Sequence, residues 1–167
     1  FDHINIPKEN INLLNGCASN LNSECIRYEE KIKEVGGIDI FLGGIGRDGH
    51  IAFNEPGSSF SSRTRIKTLC GLTLIDNSKY FNDISYIPTT ALTVGIKTIL
   101  EAREIIIIIN GRSKALPLSK CIEEGVNHMW PLSSLQHHKR VIIACDEAST
   151  DELKVKTVNY FKQLQMT

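Results

Sequence analysis

Three side chains that can move or hold protons lie close together in the first half of the sequence: Asp48, His50 and Glu55. Asp48 and His50 are two residues apart, so on an extended segment both side chains point to the same side. A carboxylate beside an imidazole orients the ring and stabilises its charged form, which suits a histidine that shuttles protons. Two alternatives remain at this point, namely a capped glycine-rich turn and a metal site, although no further His or Cys lies nearby at a ligand spacing.

The loop that contains these residues follows a short apolar run, 38–42, which is typical of a buried strand. It is rich in glycine, at Gly43, Gly44, Gly46 and Gly49. Three of these glycines fit the G-x-G-x-x-G pattern of dinucleotide sites, but Pro56 breaks the helix that such a site needs. Basic residues also stand where the acidic partner of the ribose would be, so we expect no nicotinamide cofactor. The residues that follow are donors suited to an anion: Ser58, Ser59, Ser61, Ser62, Arg63, Arg65 and Lys67.

A second candidate site follows a run of five isoleucines, 105–109, which predicts a central strand covered on both faces. Asn110 and Gly111 then turn the chain, and a helix is expected from Lys114 through Glu124. A strand, a glycine turn and a helix start present backbone N–H groups and a positive dipole end, which favours a phosphate. Taken alone, Lys114 is more simply a solvated surface residue.

Helices and strands alternate along the sequence. Apolar residues at helical spacing predict a helix over residues 21–35, and a second buried helix is expected over 89–100, where Gly95 is unfavourable. Residues 141–145 predict a further strand. This alternation is typical of an α/β fold with a Rossmann-like open, mainly parallel sheet and helices on both faces. Ligand sites in such sheets lie at the carboxyl ends of the strands, so the two candidate sites should share one rim.

Composition bounds the class of protein. With 167 residues and 41% hydrophobic content, the chain fits one domain, residues 1–167, with room for a core. A formal net charge of zero gives no reason to expect a nucleic acid or an anionic membrane as partner, and no apolar run approaches the roughly 18 residues of a membrane span. Five cysteines without C-x-x-C spacing suggest reduced thiols, and we expect a cytoplasmic protein.

Five stretches of the sequence resemble the glucosamine-6-phosphate deaminase family, in collinear order along essentially all 167 residues: GGIGRDGHIAFNEPGSS, SRTRIKTL, ALTVGIKTIL, EEGVNHMWPLSSLQHH and CDEASTDELKVKT. The resemblance implies a Rossmann-like sheet without a nucleotide. It also implies conversion of glucosamine 6-phosphate and water to fructose 6-phosphate and ammonia, without a metal or organic cofactor. We accordingly expect a hydrolase of amino-sugar metabolism and N-acetylglucosamine catabolism.

The resemblance also implies roles for single residues. By position, His50 would move a proton from the anomeric hydroxyl to the ring oxygen, with Asp48 and Glu55 orienting it and stabilising its positive charge. Lys114 would bind the substrate phosphate. Lys79 stands where the family has an arginine for that phosphate, and lysine keeps the charge but loses the bidentate fork. Another residue, such as Arg112, could substitute for the fork.

Bacterial relatives in this family also have an activator site for N-acetylglucosamine 6-phosphate between subunits of a hexamer. The resemblance therefore implies a homo-oligomer, and we expect a hexamer as in those relatives. The residues that match it are Ser58, Ser59, Arg65, Lys67 and Tyr160. A solvated basic loop explains the first four equally well. Allostery further requires two states with different affinities for the effector, which these residues do not establish.

Relatives carry a further segment before the position matched by Phe1, with a glycine-rich phosphate loop and an aspartate that acts as base on the substrate carbon. We therefore expect the chain to be the C-terminal two thirds of the family's catalytic domain and to be inactive alone. Two other functions stay open. One is a 6-phosphogluconolactonase-like hydrolase, and the other is a non-catalytic sugar-phosphate-binding protein.

Overall fold

The structure is a computed structural model that describes Phe1 and residues 3–164. Its strands are β1 (Ile40–Gly43), β2 (Arg65–Thr68), β3 (Thr90–Thr93), β4 (Glu104–Ile109) and β5 (Val141–Cys145). Its α-helices are α1 (Leu21–Glu34), α2 (Gly71–Asn77), α3 (Ile96–Leu100), α4 (Ala115–Ile122) and α5 (Val155–Leu164). Short 3₁₀ turns occupy Lys8–Asn10, Ser78–Tyr80, Ile84–Tyr86, Arg112–Lys114, Pro131–His137 and Ala148–Thr150.

The main sheet has three parallel strands in the order β1-β4-β5, and β2 and β3 form a separate antiparallel pair. Ile107 of β4 lies between Gly43 of β1 and Ile143 of β5. The prediction of an α/β fold with a mainly parallel sheet is therefore confirmed. Because parallel neighbours end at the same edge, the loops after β1 and β4 meet at one rim.

Helices of the described chain cover one face of this sheet. On that face Ile105, Ile107 and Ile109 are buried, and they pack with side chains from α3, α4 and the 3₁₀ turn 131–137: Ile96, Ile99, Leu118, Cys121, Leu132 and Leu135. Side chains of a strand alternate between faces, and on the other face Ile108 is 54% exposed. The run of isoleucines, expected to be covered on both faces, is thus covered on one within the described residues.

Residues 89–100 do not form the single helix that their apolar content predicts. They form β3 and then α3, with Gly95 between them. A Cβ at Gly95 would lie 2.0 Å from the carbonyl oxygen of Ser62, so the backbones approach too closely there for a side chain. The Lys97 N–H donates to that same oxygen at 3.0 Å. This close contact, which a helix prediction ignores, ends the strand and starts the helix.

Helix α1 agrees with its sequence pattern. Asn20 caps it by accepting from the Ser23 N–H at 3.0 Å, and Gly36 and Gly37 follow its end with positive φ. The Glu29 carboxylate accepts from the Thr64 N–H at 2.8 Å and so ties α1 to the segment before β2. All five cysteines are free, and none of the helices in the described ranges is long and apolar enough to cross a membrane. That residues 1–167 form one domain stays a prediction.

Candidate active site

The loop after β1 is closed by backbone hydrogen bonds. The Gly46 N–H donates to the His50 carbonyl oxygen at 2.9 Å, and the Gly49 N–H donates to the Gly46 carbonyl oxygen at 3.0 Å. Gly49 has a positive φ of 82°, which suits glycine. A Cβ at Gly46 would lie 2.2 Å from the His50 ring, so the ring rests directly on the loop backbone. The glycines therefore fix the position of the imidazole.

Asp48 and His50 are in direct contact. Nδ1 of His50 lies 2.7 Å from Oδ1 of Asp48, and both side chains are less than one fifth exposed. The contact is an ion pair only when the imidazole is protonated. The same oxygen accepts from the His50 backbone N–H at 3.2 Å. Burial raises the pKa of Asp48, but the interactions with His50 outweigh it and lower that pKa to about 2, so the carboxylate is ionised at neutral pH.

Glu55 is the most buried of the three candidate catalytic side chains, at 4% exposure. Its Oε1 accepts from the Cys70 N–H at 3.2 Å, whereas its Oε2 is buried and lacks a partner among the described residues. An unpaired buried carboxylate oxygen is costly, by about 1–3 kcal/mol, and is typical of a functional site. The sequence reading missed Cys70, whose Sγ also lies 3.8 Å from Oδ2 of Asp48.

The predicted triad is brought together in the structure. Asp48, His50 and Glu55 place one nitrogen and two carboxylate oxygens within 4.8 Å of one another. Such a group can serve a proton relay and could also bind a divalent cation. The expectation that the site uses no metal stays a prediction.

Lys114 lies beside this loop and follows the carboxyl end of β4. Gly111 has a positive φ of 85°, and the Lys114 N–H donates to the Gly111 carbonyl oxygen at 3.0 Å. Burial is the largest influence on Lys114 and lowers its pKa; among its charged neighbours, Asp48 raises that pKa. One of the backbone N–H groups expected to bind a phosphate is already used, because the Gly111 N–H donates to the Asp146 carboxylate at 2.9 and 3.1 Å.

The two other predicted cations of the phosphate site differ in position. Lys79 is exposed and its ammonium lies 5.1 Å from the centre of the Tyr80 ring, yet it is near enough to lower the pKa of Lys114. Arg112 forms an ion pair with Asp151, its Nε 3.3 Å from Oδ2, and is largely exposed. Lys79 therefore lies near Lys114, whereas Arg112 already has a carboxylate partner.

A further ion pair at this rim was not anticipated from the sequence. Nε of Arg47 donates to Oδ2 of Asp76 at 3.0 Å, and Nη2 of Arg47 donates to Oδ1. The arginine was visible as the residue before Asp48, but its partner lies 29 positions further along the chain in α2. Nothing in the local spacing predicts that contact.

The residues of the expected effector site are only partly brought together. Ser58 is 2% exposed, and its Oγ has no hydrogen-bond partner in the part of the chain that the structure describes. Ser59 is exposed, and its Oγ lies 2.9 Å from the Oγ of Ser61. Arg65 and Lys67 lie on the same face of β2, two residues apart.

Tyr160 lies on α5, with its ring edge against Phe161. Within the described ranges, no hydrogen bond or ion pair joins Tyr160 to Arg65 or Lys67. The structure thus supports a cationic face on β2, while the participation of Tyr160 stays a prediction.

Comparison with known proteins shows the family to which the chain belongs. The sequence model of the family described as glucosamine-6-phosphate isomerases/6-phosphogluconolactonase matches residues 1–143. The chain belongs to this family. Glucosamine-6-phosphate deaminases from Dictyostelium discoideum and from Actinobacillus pleuropneumoniae serotype 5b (strain L20) are 64% and 60% identical to it, each over 99% of this chain and 62% of the relative. The chain therefore spans a little under two thirds of the length of these curated relatives.

Solved structures show the same relationship. A structure described as a monomeric glucosamine-6-phosphate deaminase superposes with a TM-score of 0.89 at 41% identity, over 91% of this chain and 63% of the other. A 6-phosphogluconolactonase from Trypanosoma cruzi has a TM-score of 0.61 at 20% identity, over 79% of this chain and 52% of the other, which shows the fold alone. Because the closer of these two neighbours is described as monomeric, the expected hexamer stays a prediction.

The expected classification as a hydrolase is wrong. The family is described as isomerases, and the highly similar relatives are named deaminases. The physical reason lies in the expected chemistry, in which protons move between sugar atoms and an amine leaves. Water consumption alone is therefore a poor guide to the reaction class.

Proposed function

We propose that the protein is a glucosamine-6-phosphate deaminase of amino-sugar catabolism, which converts glucosamine 6-phosphate and water to fructose 6-phosphate and ammonia. The observation that carries this proposal is the contact of 2.7 Å between Nδ1 of His50 and Oδ1 of Asp48, beside Glu55. The similarity to deaminases over 99% of the chain supports the substrate class.

The proposed first step is ring opening, in which His50 moves a proton from the anomeric hydroxyl to the ring oxygen. The Asp48 carboxylate is ionised, so it stabilises the positive charge that the imidazole gains in this step. Glu55 lies within 4.8 Å of the same group, and its Oε2, which has no partner among the described residues, can accept a hydrogen bond from the imidazole or from a substrate hydroxyl. The triad thus lowers the cost of forming an imidazolium in a buried site.

Substrate binding needs charge of the opposite sign to the phosphate. Lys114 follows β4, next to the strand that leads into residues 48–55, the proton-handling loop. Lys79 is its cationic neighbour. Both ammonium groups can bind a phosphate as point charges.

The test uses the protein expressed from its complete reading frame. Purified protein is incubated with glucosamine 6-phosphate and, separately, with 6-phosphogluconolactone. We expect ammonia release with the amino sugar and no loss of lactone above the uncatalysed rate. Lactone hydrolysis without ammonia would assign the lactonase activity instead, and phosphate-ester binding without either reaction would assign a binding protein.

We also propose that N-acetylglucosamine 6-phosphate activates the enzyme by binding near β2. Arg65 supports this because its Nη1 bonds to Oδ1 of Asn54 at 2.8 Å, one residue before Glu55. An effector bound to Arg65 could therefore shift the end of the proton-handling loop at Glu55. Substrate saturation should be sigmoidal and become hyperbolic with the acetylated sugar phosphate. Hyperbolic curves in both conditions would refute the activation.

A further inference from the structure

The arginine next to the proton-handling loop has an unused side of its guanidinium. Arg47 binds Asp76 through the edge formed by Nε and Nη2. Its Nη1 forms no hydrogen bond within the described residues. A guanidinium has five N–H donors, so the edge formed by Nη1 and Nη2 remains available for a second planar or tetrahedral anion. The pair is about one third exposed, so solvent and a ligand can reach this edge.

The charges around this pair belong to the phosphate side of the site. The hydrogen bond from Arg47 is the main cause of the lowered pKa of Asp76, and the positive charge of Lys114 lowers it further. Besides burial, the positive charges of Arg47 and Lys79 lower the pKa of Lys114. The three cations Arg47, Lys79 and Lys114 therefore share one region with Asp76. Asp48, in contrast, contacts His50. The region keeps a surplus of positive charge when Arg47 and Asp76 neutralise each other.

We propose that Arg47 is a further substrate-phosphate-binding residue, which Asp76 holds so that its free edge binds two phosphate oxygens. This inference rests on the proposed function and adds a residue to its substrate site. Two lysines supply point charges, whereas an arginine supplies a fork that fixes the orientation of a phosphate. Arg47 would thereby provide the bidentate contact that Lys79 cannot, and Asp76 is a positioning residue that acts through it.

The decisive measurement is the affinity for inorganic phosphate, determined by calorimetry on the protein from the complete reading frame. We expect Arg47→Ala to raise the Kd for phosphate and the KM for glucosamine 6-phosphate about tenfold, with kcat within about twofold. Arg47→Lys should raise both by a smaller factor, because it keeps the charge and loses the fork. An unchanged Kd in Arg47→Ala, even with a lowered melting temperature, would overturn the proposal and assign the pair to stability.

Arg103→Ala is the matched control. Arg103 forms a similar ion pair with Asp39, but it precedes β4 and so lies at the opposite end of that strand from Lys114. Its removal should leave the phosphate Kd unchanged. An equal rise in Kd for both variants would show a loss of overall positive charge and would contradict a specific role for Arg47.

The double variant Arg47→Ala with Asp76→Asn tests the role of Asp76. Without Arg47, the Asp76 carboxylate is unpaired and repels an incoming phosphate. Neutralising it should therefore lower the Kd two- to fivefold relative to Arg47→Ala alone. No recovery would show that Asp76 is not beside the phosphate. If phosphate affinity depends on Arg47 but no ammonia is released, the proposed function is wrong and this inference stands. If ammonia is released but phosphate affinity does not depend on Arg47, the proposed function stands and this inference is wrong.

Discussion

The proton-handling loop is built differently from the cationic rim beside it, which consists of Arg47, Lys79 and Lys114. Asp48, His50 and Glu55 lie within eight residues of one another, are mostly buried, and are held by backbone hydrogen bonds between glycines. Lys114 and Arg47, by contrast, come from different loops, and both interact with the carboxylate of Asp76. The first region depends on precise placement, and the second depends on the sum of several charges.

This difference is consistent with the two proposed tasks. Proton transfer requires heavy atoms within about 3 Å, and a small misplacement costs a large factor in rate. Phosphate binding relies on charge–charge attraction, which acts over a longer distance and tolerates water. We therefore expect changes in the loop to lower kcat and changes at the rim to raise KM. The following predictions can break or sharpen that contrast.

The largest effect is expected from His50→Gln. Glutamine keeps a polar side chain of similar length but cannot exchange a proton near neutral pH, so kcat should fall by roughly 10²–10⁴-fold with KM within a few-fold. Steady-state ammonia release measures both constants. His137→Gln, at an exposed position in the 3₁₀ turn 131–137, is the control and should behave as the wild type. A normal kcat in His50→Gln would remove the imidazole from the mechanism.

Gly46→Ala tests the placement of the His50 ring without replacing a catalytic side chain. The added methyl would lie 2.2 Å from the His50 ring and must push it away from Asp48. We expect kcat to fall on the order of 10²-fold, because the ring leaves its productive position. Gly125→Ala is matched to it, since a Cβ at Gly125 meets no atom within 4 Å and its φ is not positive. If Gly46→Ala keeps its activity, the loop is less precise than this contrast requires.

The same contrast explains what could be predicted from the sequence. The triad was predictable because Asp48, His50 and Glu55 are neighbours in the chain, and the parallel sheet was predictable from alternating patterns. The Arg47–Asp76 pair was not, because its residues are 29 positions apart and only the packing of α2 brings them together.

Residues 89–100 were misread for a related reason. Their composition suits a helix, but the contact of Gly95 with the Ser62 backbone decides the structure, and that contact is 33 residues away in sequence. Local patterns therefore predicted the regions that are local in the chain. Contacts between distant segments, which build the cationic rim, left no pattern to read.

Lys114→Ala should affect binding rather than the chemical step. Loss of one charged contact to the phosphate should raise KM roughly ten- to hundredfold. Burial lowers the pKa of Lys114, so its ammonium loses the proton at a lower pH than an exposed lysine. In the wild type, kcat/KM should accordingly fall on the alkaline side, and the variant should lack that fall. Lys120→Ala is the control, since Lys120 lies on α4 and pairs with Glu124, just beyond the end of that helix.

The smallest effect is expected from Lys79→Arg. Lys79 is exposed, and arginine keeps its charge while adding a fork that can grip two phosphate oxygens. We expect KM for glucosamine 6-phosphate to fall about two- to threefold with kcat unchanged, and the exposed Lys97→Arg should change neither constant. If Arg47 already supplies the fork, the gain in Lys79→Arg should grow in the Arg47→Ala background, since the new fork then has no competitor. Equal gains in both backgrounds would show that the two residues act independently and that Arg47 does not already supply the fork. An unchanged or raised KM would show that Lys79 does not bind the phosphate, which would leave Arg47 and Lys114.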